Sequence, residues 1–166
     1  MRDNAWLERK LEDIWMKYFN DVEKLNHVEI HFGRKAIRRL ASIRQKSRFD
    51  KHSDTEIKVT SYYCSETVPE YVVDVTIAHE LCHYVHGFAS PLPKFSQYPH
   101  RGSTVDNELR KRGLGSLLTR QKKWLKDCWP DIIKSDSIGR KKTARRRYRR
   151  QRTGLFALIK NIVFNN

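Results

Sequence analysis

The sequence predicts an α+β domain in which a small mixed or antiparallel sheet lies against one nearly apolar helix, with further helices before and after it. Three observations carry that expectation. Val28-Glu29-Ile30-His31-Phe32 and the stretch from Glu56 to Tyr63 alternate apolar and polar residues with the period of a half-buried strand. Leu7, Leu11, Ile14, Trp15, Tyr18, Val22 and Leu25 recur at helical spacing. Between Pro69 and His86, the residues Val72, Val73, Val75, Ile77, Ala78, Leu81 and Val85 give a helix apolar on nearly every side, as a buried helix is.

Taken in order, Asp3 or Asn4 can cap a first helix over residues 5–25. A strand follows at 28–32 and ends at Gly33. Residues 35–49 are basic, and Leu40 to Phe49 reads equally as a second strand or as the end of a helix. A turn is expected at 50–54 and a strand at 56–63. Pro69 suits the first turn of the apolar helix, and Gly87 suits its end. A loop with Pro91, Pro93 and Pro99 runs to residue 99, with Phe88, Phe95 and Tyr98 to pin it down. Helices are expected at about 103–112 and 116–128, the latter closed by Pro130. A short amphipathic helix is expected at 155–164.

The chain has 166 residues and a net charge of +15, so polyanions are its expected partners, nucleic acid first. Nine Lys or Arg and no acid fall between Gly139 and Arg152, which leaves +6 on the remainder. Arg140, Lys141, Lys142, Arg145, Arg146, Arg147, Arg149, Arg150 and Arg152 repel one another unless phosphates lie between them, and Tyr148 can stack on a base. The expected partition is therefore a domain at 1–134 and a basic tail at 135–166 that binds DNA without reading its sequence. Cys64, Cys82 and Cys128 lack ribbon spacing and argue against both a disulfide framework and a zinc ribbon. Charged residues near Met1 and the lack of an 18-residue apolar run point to a cytoplasmic protein that avoids membranes, and a monomer is expected.

The chemistry sits in the apolar helix, which reads His79-Glu80-Leu81-Cys82-His83 at its centre. Residues four apart on a helix share one face, so both imidazoles can reach one ion. Glu80 then lies beside the ion, placed to act as a general base. Ionisable groups buried in such a helix are costly unless paired or metal-bound, which favours zinc over a pair of core histidines. A catalytic zinc needs a third protein ligand. His100 in Pro99-His100-Arg101-Gly102 ranks first, Glu108 second, and His86 last, since it lies about 10 Å along the axis from His79. Tyr84, His86, Tyr98 and Arg101 are candidate oxyanion donors. These readings make the chain a zinc-dependent hydrolase of peptide bonds. The rival is a non-catalytic nucleic-acid-binding protein with a structural zinc site, against which the intact Glu80 speaks.

The motif His79-Glu80-Leu81-Cys82-His83, the later His100, and the basic segment Arg38-Arg39-Leu40-Ala41-Ser42-Ile43-Arg44 between two strands resemble the SprT-like zinc metalloprotease family. That family includes Spartan and is close to the single-domain minigluzincins. The resemblance covers roughly residues 28–112. It implies a zincin-type α+β fold and zinc on His79, His83 and His100. It also implies Glu80 as general base and the proteolysis of DNA-associated proteins. Many members carry a Cys-rich zinc ribbon, which this chain cannot form, and the Arg-rich tail is its expected replacement.

Overall fold

Asp3 opens the first helix as its cap, its carboxylate accepting the Trp6 N–H at 2.8 Å. The computed structural model describes residues 1–47, 49–95 and 103–138. Its elements are α1 (Asn4–Tyr18), β1 (Val28–Phe32), β2 (Ala41–Gln45), β3 (Thr55–Val59), a 3-10 turn (Ser61–Cys64), α2 (Glu70–Val85), α3 (Thr104–Lys111) and α4 (Gly115–Asp127). The fold is α+β. By its contacts the chain divides into Met1–Trp124 and Leu125–Asn166, and the sheet with α1 to α3 lies wholly in the first unit. In the second, residues 129–138 are helical. No helix among the described residues is long and apolar enough to cross a membrane.

β3 is the central strand. It runs parallel to β1, with Ile30 opposite Ile57, and antiparallel to β2, with Ile43 opposite Ile57. Val28, Ile30, Ile57 and Val59 are buried on the inner face, where α1 packs on β1 and α2 packs on β2. Leu7, Leu11, Ile14 and Trp15 of α1 and Val72, Val73, Ile77 and Leu81 of α2 complete this core, each 4 % exposed or less. α3 closes over the far side of α2 with Val105 and Leu109. Gln121 of α4 donates to the Val72 carbonyl and the Thr76 hydroxyl, both at 2.9 Å, and so ties α4 to the middle of α2.

Several boundaries differ from expectation, each for a local reason. α1 ends at Tyr18, seven residues early. Phe19 takes the cap position and is buried, and the Trp15 indole reaches past the helix end to donate to the Val22 carbonyl at 3.2 Å. β3 ends at Val59, because Thr60 turns back on the β1–β2 loop. The Thr60 hydroxyl accepts the Ala36 N–H and donates to the Ala36 carbonyl, each at 3.0 Å. Tyr62 and Tyr63 are then buried from a 3-10 turn and not from a strand. The ambiguous basic stretch holds the strand β2. α4 ends at Asp127, just before Pro130 as expected, but a further helical run at 129–138 then begins with Pro130 in its first turn, where proline is tolerated. The expected helix at 155–164 lies outside the described residues.

Candidate metal centre

α2 carries the site, and both ends of the helix are fixed. Lys10 of α1 pairs with Glu70 at 2.8 Å and Asp74 at 3.2 Å near its start. At its end the Gly87 N–H donates to the Tyr84 carbonyl at 3.0 Å and the Phe88 N–H to the His83 carbonyl at 2.9 Å, the two bonds of a Schellman motif. Gly87 has φ of +73°, and a Cβ there would lie 2.4 Å from the Pro93 carbonyl oxygen. Only glycine fits this position.

Within the helix, His79 and His83 turn their Nε2 atoms toward each other at 3.3 Å, with ring centroids 5.0 Å apart. Two Zn–N bonds of about 2.0–2.1 Å opening at a tetrahedral angle separate their nitrogens by roughly 3.3–3.4 Å. The observed spacing therefore fits a shared ion. Glu80 is 7 % exposed. Burial pushes its carboxyl up to about 7, against the opposing pull of the Arg39 guanidinium and the Ile43 backbone amide. Ile43 lies in the middle of β2. The pairs Leu40 with Thr60 and Lys46 with Asp54 bond across to β3's side, so by alternation the amides of residues 41, 43 and 45 face away from it. No strand pairs with that edge among the described residues. Glu80 therefore stands between the histidine pair and an open strand edge.

The other candidates fall out differently. His86 caps the C-terminus of α2, is buried, and stacks on Phe95 with centroids 5.3 Å apart. Burial holds its imidazole below the ordinary value, and its Nδ1 has no hydrogen-bond partner among the described residues. Glu108 accepts from the Arg112 guanidinium at 2.8 Å, and the same guanidinium reaches Asp21 at 2.6 Å. Neither His86 nor Glu108 joins the histidine pair in a three-ligand group. The Tyr84 hydroxyl is committed to the core side of α2, where it donates to Asn26 Oδ1 at 2.8 Å and accepts the Leu25 N–H at 3.1 Å, which removes it as an oxyanion donor. Cys82 is fully buried, and burial pushes its thiol up, so it packs as a small apolar group. His100, Tyr98, Arg101 and the tail cations Arg140, Lys141, Lys142, Arg145, Arg146, Arg147, Arg149, Arg150 and Arg152 lie outside the described residues.

A second group was not anticipated. Glu29 and His31 of β1 and Glu56 of β3 bring one ligand atom each within 4.8 Å of one another on the outer face of the sheet, a spacing that could hold a metal ion. Three cations already occupy these carboxylates. Arg44 and Lys58 pair with Glu56, and Lys46 pairs with Glu29 at 2.9 Å. Burial raises Glu56, but the hydrogen bonds from Arg44 and Lys58 prevail and hold its carboxyl below the ordinary value. A divalent ion would have to displace this positive charge, so the group reads as an ion-pair ladder across the strands. Strand alternation puts Glu29, His31, Glu56 and Lys58 at the polar positions of their strands, and the β1–β3 register then brings Glu29 opposite Glu56.

No protein-family model matches the chain, and no curated protein or solved structure is significantly similar to it.

Proposed function

We propose that this chain is a zinc-dependent metallopeptidase of SprT-like, zincin-type character that hydrolyses peptide bonds in DNA-associated proteins. The observation that carries the reading is the 3.3 Å approach of the His79 and His83 Nε2 atoms beside a buried Glu80. His79 and His83 would hold the zinc, with His100 as the third ligand. Zinc, when bound, supplies a Lewis acid that polarises the scissile carbonyl and acidifies water. Glu80 takes the proton of the attacking water and returns it to the leaving nitrogen. Burial raises its carboxyl in the metal-free chain, and a bound zinc would draw it back down and favour the carboxylate that accepts the water's proton. The edge of β2 that no described strand pairs with suits an extended peptide added as a further strand, which would take over the Ile43 amide from Glu80 as it passed. The net charge of +15 and the nine cations of the tail support DNA as the partner that brings substrates to the cleft.

The test is hydrolysis of an unstructured protein such as casein, with and without DNA, by wild type and Glu80→Gln, with zinc content measured on both. One zinc on each protein, and turnover by wild type alone, is the expected result. Equal turnover by both would remove Glu80 from the chemistry. Zinc on both without turnover by either would favour the structural-zinc rival.

A further inference from the structure

The strongest feature outside the metal helix is the β2–β3 hairpin. Phe49 at its tip is fully exposed, at 102 %. A single exposed aromatic is unremarkable on a protein surface, but this one stands on a loop tied by its own polar groups. The Lys46 N–H donates to the Asp54 carbonyl at 2.9 Å, and the Gln45 side chain to the Lys51 carbonyl at 2.7 Å. The Ser53 hydroxyl donates to the Ser47 carbonyl at 3.1 Å and accepts the Ser47 N–H at 3.2 Å. The Asp50 carboxylate accepts the His52 N–H at 2.9 Å. These bonds hold the described residues on either side of Phe49 and leave its ring facing solvent.

The surroundings are cationic. Residues 33–53 contain eight Lys or Arg and one acid, Asp50. Arg44 and Lys46 are neutralised by Glu56, Glu29 and Asp54, and Lys35 lies over the Tyr62 ring. Arg34 and Arg38 in the β1–β2 loop and Lys51 in the hairpin are exposed, with no carboxylate partner among the described residues. Unpaired cations thus stand at both ends of β2, with a proud aromatic at one of them. That combination suits a polyanion whose rings are accessible for stacking. A duplex, whose bases are already stacked, fits it less well.

We infer that the β2–β3 hairpin and the β1–β2 loop form a single-stranded nucleic-acid contact on the catalytic unit, with Phe49 stacking on a base and Arg34, Arg38 and Lys51 meeting phosphates. This contact rests on the nucleic-acid half of the proposed function and on none of its catalytic half. Phe49 is six residues along the chain from Ile43, no more than about 20 Å, so a strand held there keeps a linked protein close to Glu80.

The experiment is fluorescence anisotropy of labelled oligothymidylate, and of a blunt duplex of equal length, with the full chain at about 0.1 M salt. Phe49→Ala should weaken oligothymidylate binding roughly 5- to 160-fold, the effect of losing one base–aromatic stack, with duplex binding unchanged within about twofold. Phe49→Trp should retain the affinity, and its added emission over wild type should be quenched by oligothymidylate. This reports the contact even where the tail dominates the affinity. Arg38→Glu and Lys51→Glu should each lower the salt slope by about one phosphate contact. Unchanged oligothymidylate affinity in Phe49→Ala, together with no quenching in Phe49→Trp, overturns the inference. So does equal loss for single strand and duplex, or loss of binding to phosphatidylserine vesicles in place of oligonucleotide. A wild type that binds no oligonucleotide overturns the nucleic-acid half of the proposed function as well, whereas a silent Phe49 in a chain that still binds DNA overturns this inference alone.

Discussion

Replacing Glu80 by Gln should stabilise the metal-free protein at neutral and alkaline pH, although the substitution removes the proposed general base. Burial lifts the Glu80 carboxyl from its ordinary 4.5 to about 7. The folded chain therefore holds this proton more tightly than the unfolded chain. The stability contributed by the neutral acid is complete below about pH 4.5 and is lost as pH rises through 7. At about 1.4 kcal/mol per pH unit the loss is roughly 3 kcal/mol. Gln keeps the shape of the neutral acid and cannot ionise. For a chain of this size that difference is worth roughly 6–12 °C in Tm. Thermal melts followed by circular dichroism, with a chelator and about 0.15 M salt to screen distant charges, should show the variant melting higher at pH 8 and level with wild type at pH 4.5. Saturating zinc should narrow the gap at pH 8, because a nearby cation offsets the desolvation of the carboxylate. Melting points within about 1 °C at pH 8, or a gap that does not change with pH, would refute the reasoning from burial.

Further outcomes follow from the packing and the charge. Arg112→Ala should cost about 2–4 kcal/mol in urea unfolding, because it leaves Glu108 without the guanidinium that holds it and frees Asp21 and the Tyr18 carbonyl. Tyr84→Phe should cost about 1–2 kcal/mol, since Asn26 Oδ1 loses its donor and the Leu25 N–H its acceptor. In a zinc-loaded protein, neither change should alter zinc content. Neutralising Arg145, Arg146 and Arg147 to Gln should flatten the salt dependence of DNA binding by about two to three units of log K against log salt, with peptide turnover in the absence of DNA unchanged.

The metal helix was legible because its chemistry interrupts its own pattern. His79, Glu80 and His83 break a run of apolar residues that would otherwise need no explanation, and their spacing places two ligands on one face. Asp3 as a cap and the strand at 28–32 were legible for similarly local reasons. What escaped was decided by tertiary contacts. Val22 and Leu25 continue the period of α1, but the chain leaves the helix at Phe19, which is buried as its cap. Tyr62 and Tyr63 continue an apolar pattern after β3, yet the Thr60 bond to Ala36 has already turned the chain. The parallel pairing of β1 with β3 across an intervening β2 is a matter of topology, and no residue in those strands announces it. The nearness of Arg39 to Glu80 depends on the same topology. The outer-face group of Glu29, His31 and Glu56 combines both cases, since alternation shows which residues face outward but only the register shows that they meet.

The most direct test is X-ray absorption at the zinc edge of the zinc-loaded chain, on wild type, His79→Ala and His31→Ala. A shell with at least two imidazole nitrogens at about 2.0–2.1 Å, retained in His31→Ala and lost in His79→Ala, is the expected result for a centre on α2. A carboxylate-rich shell that survives His79→Ala and disappears in His31→Ala would put the metal on the outer face of the sheet and contradict the proposed peptidase.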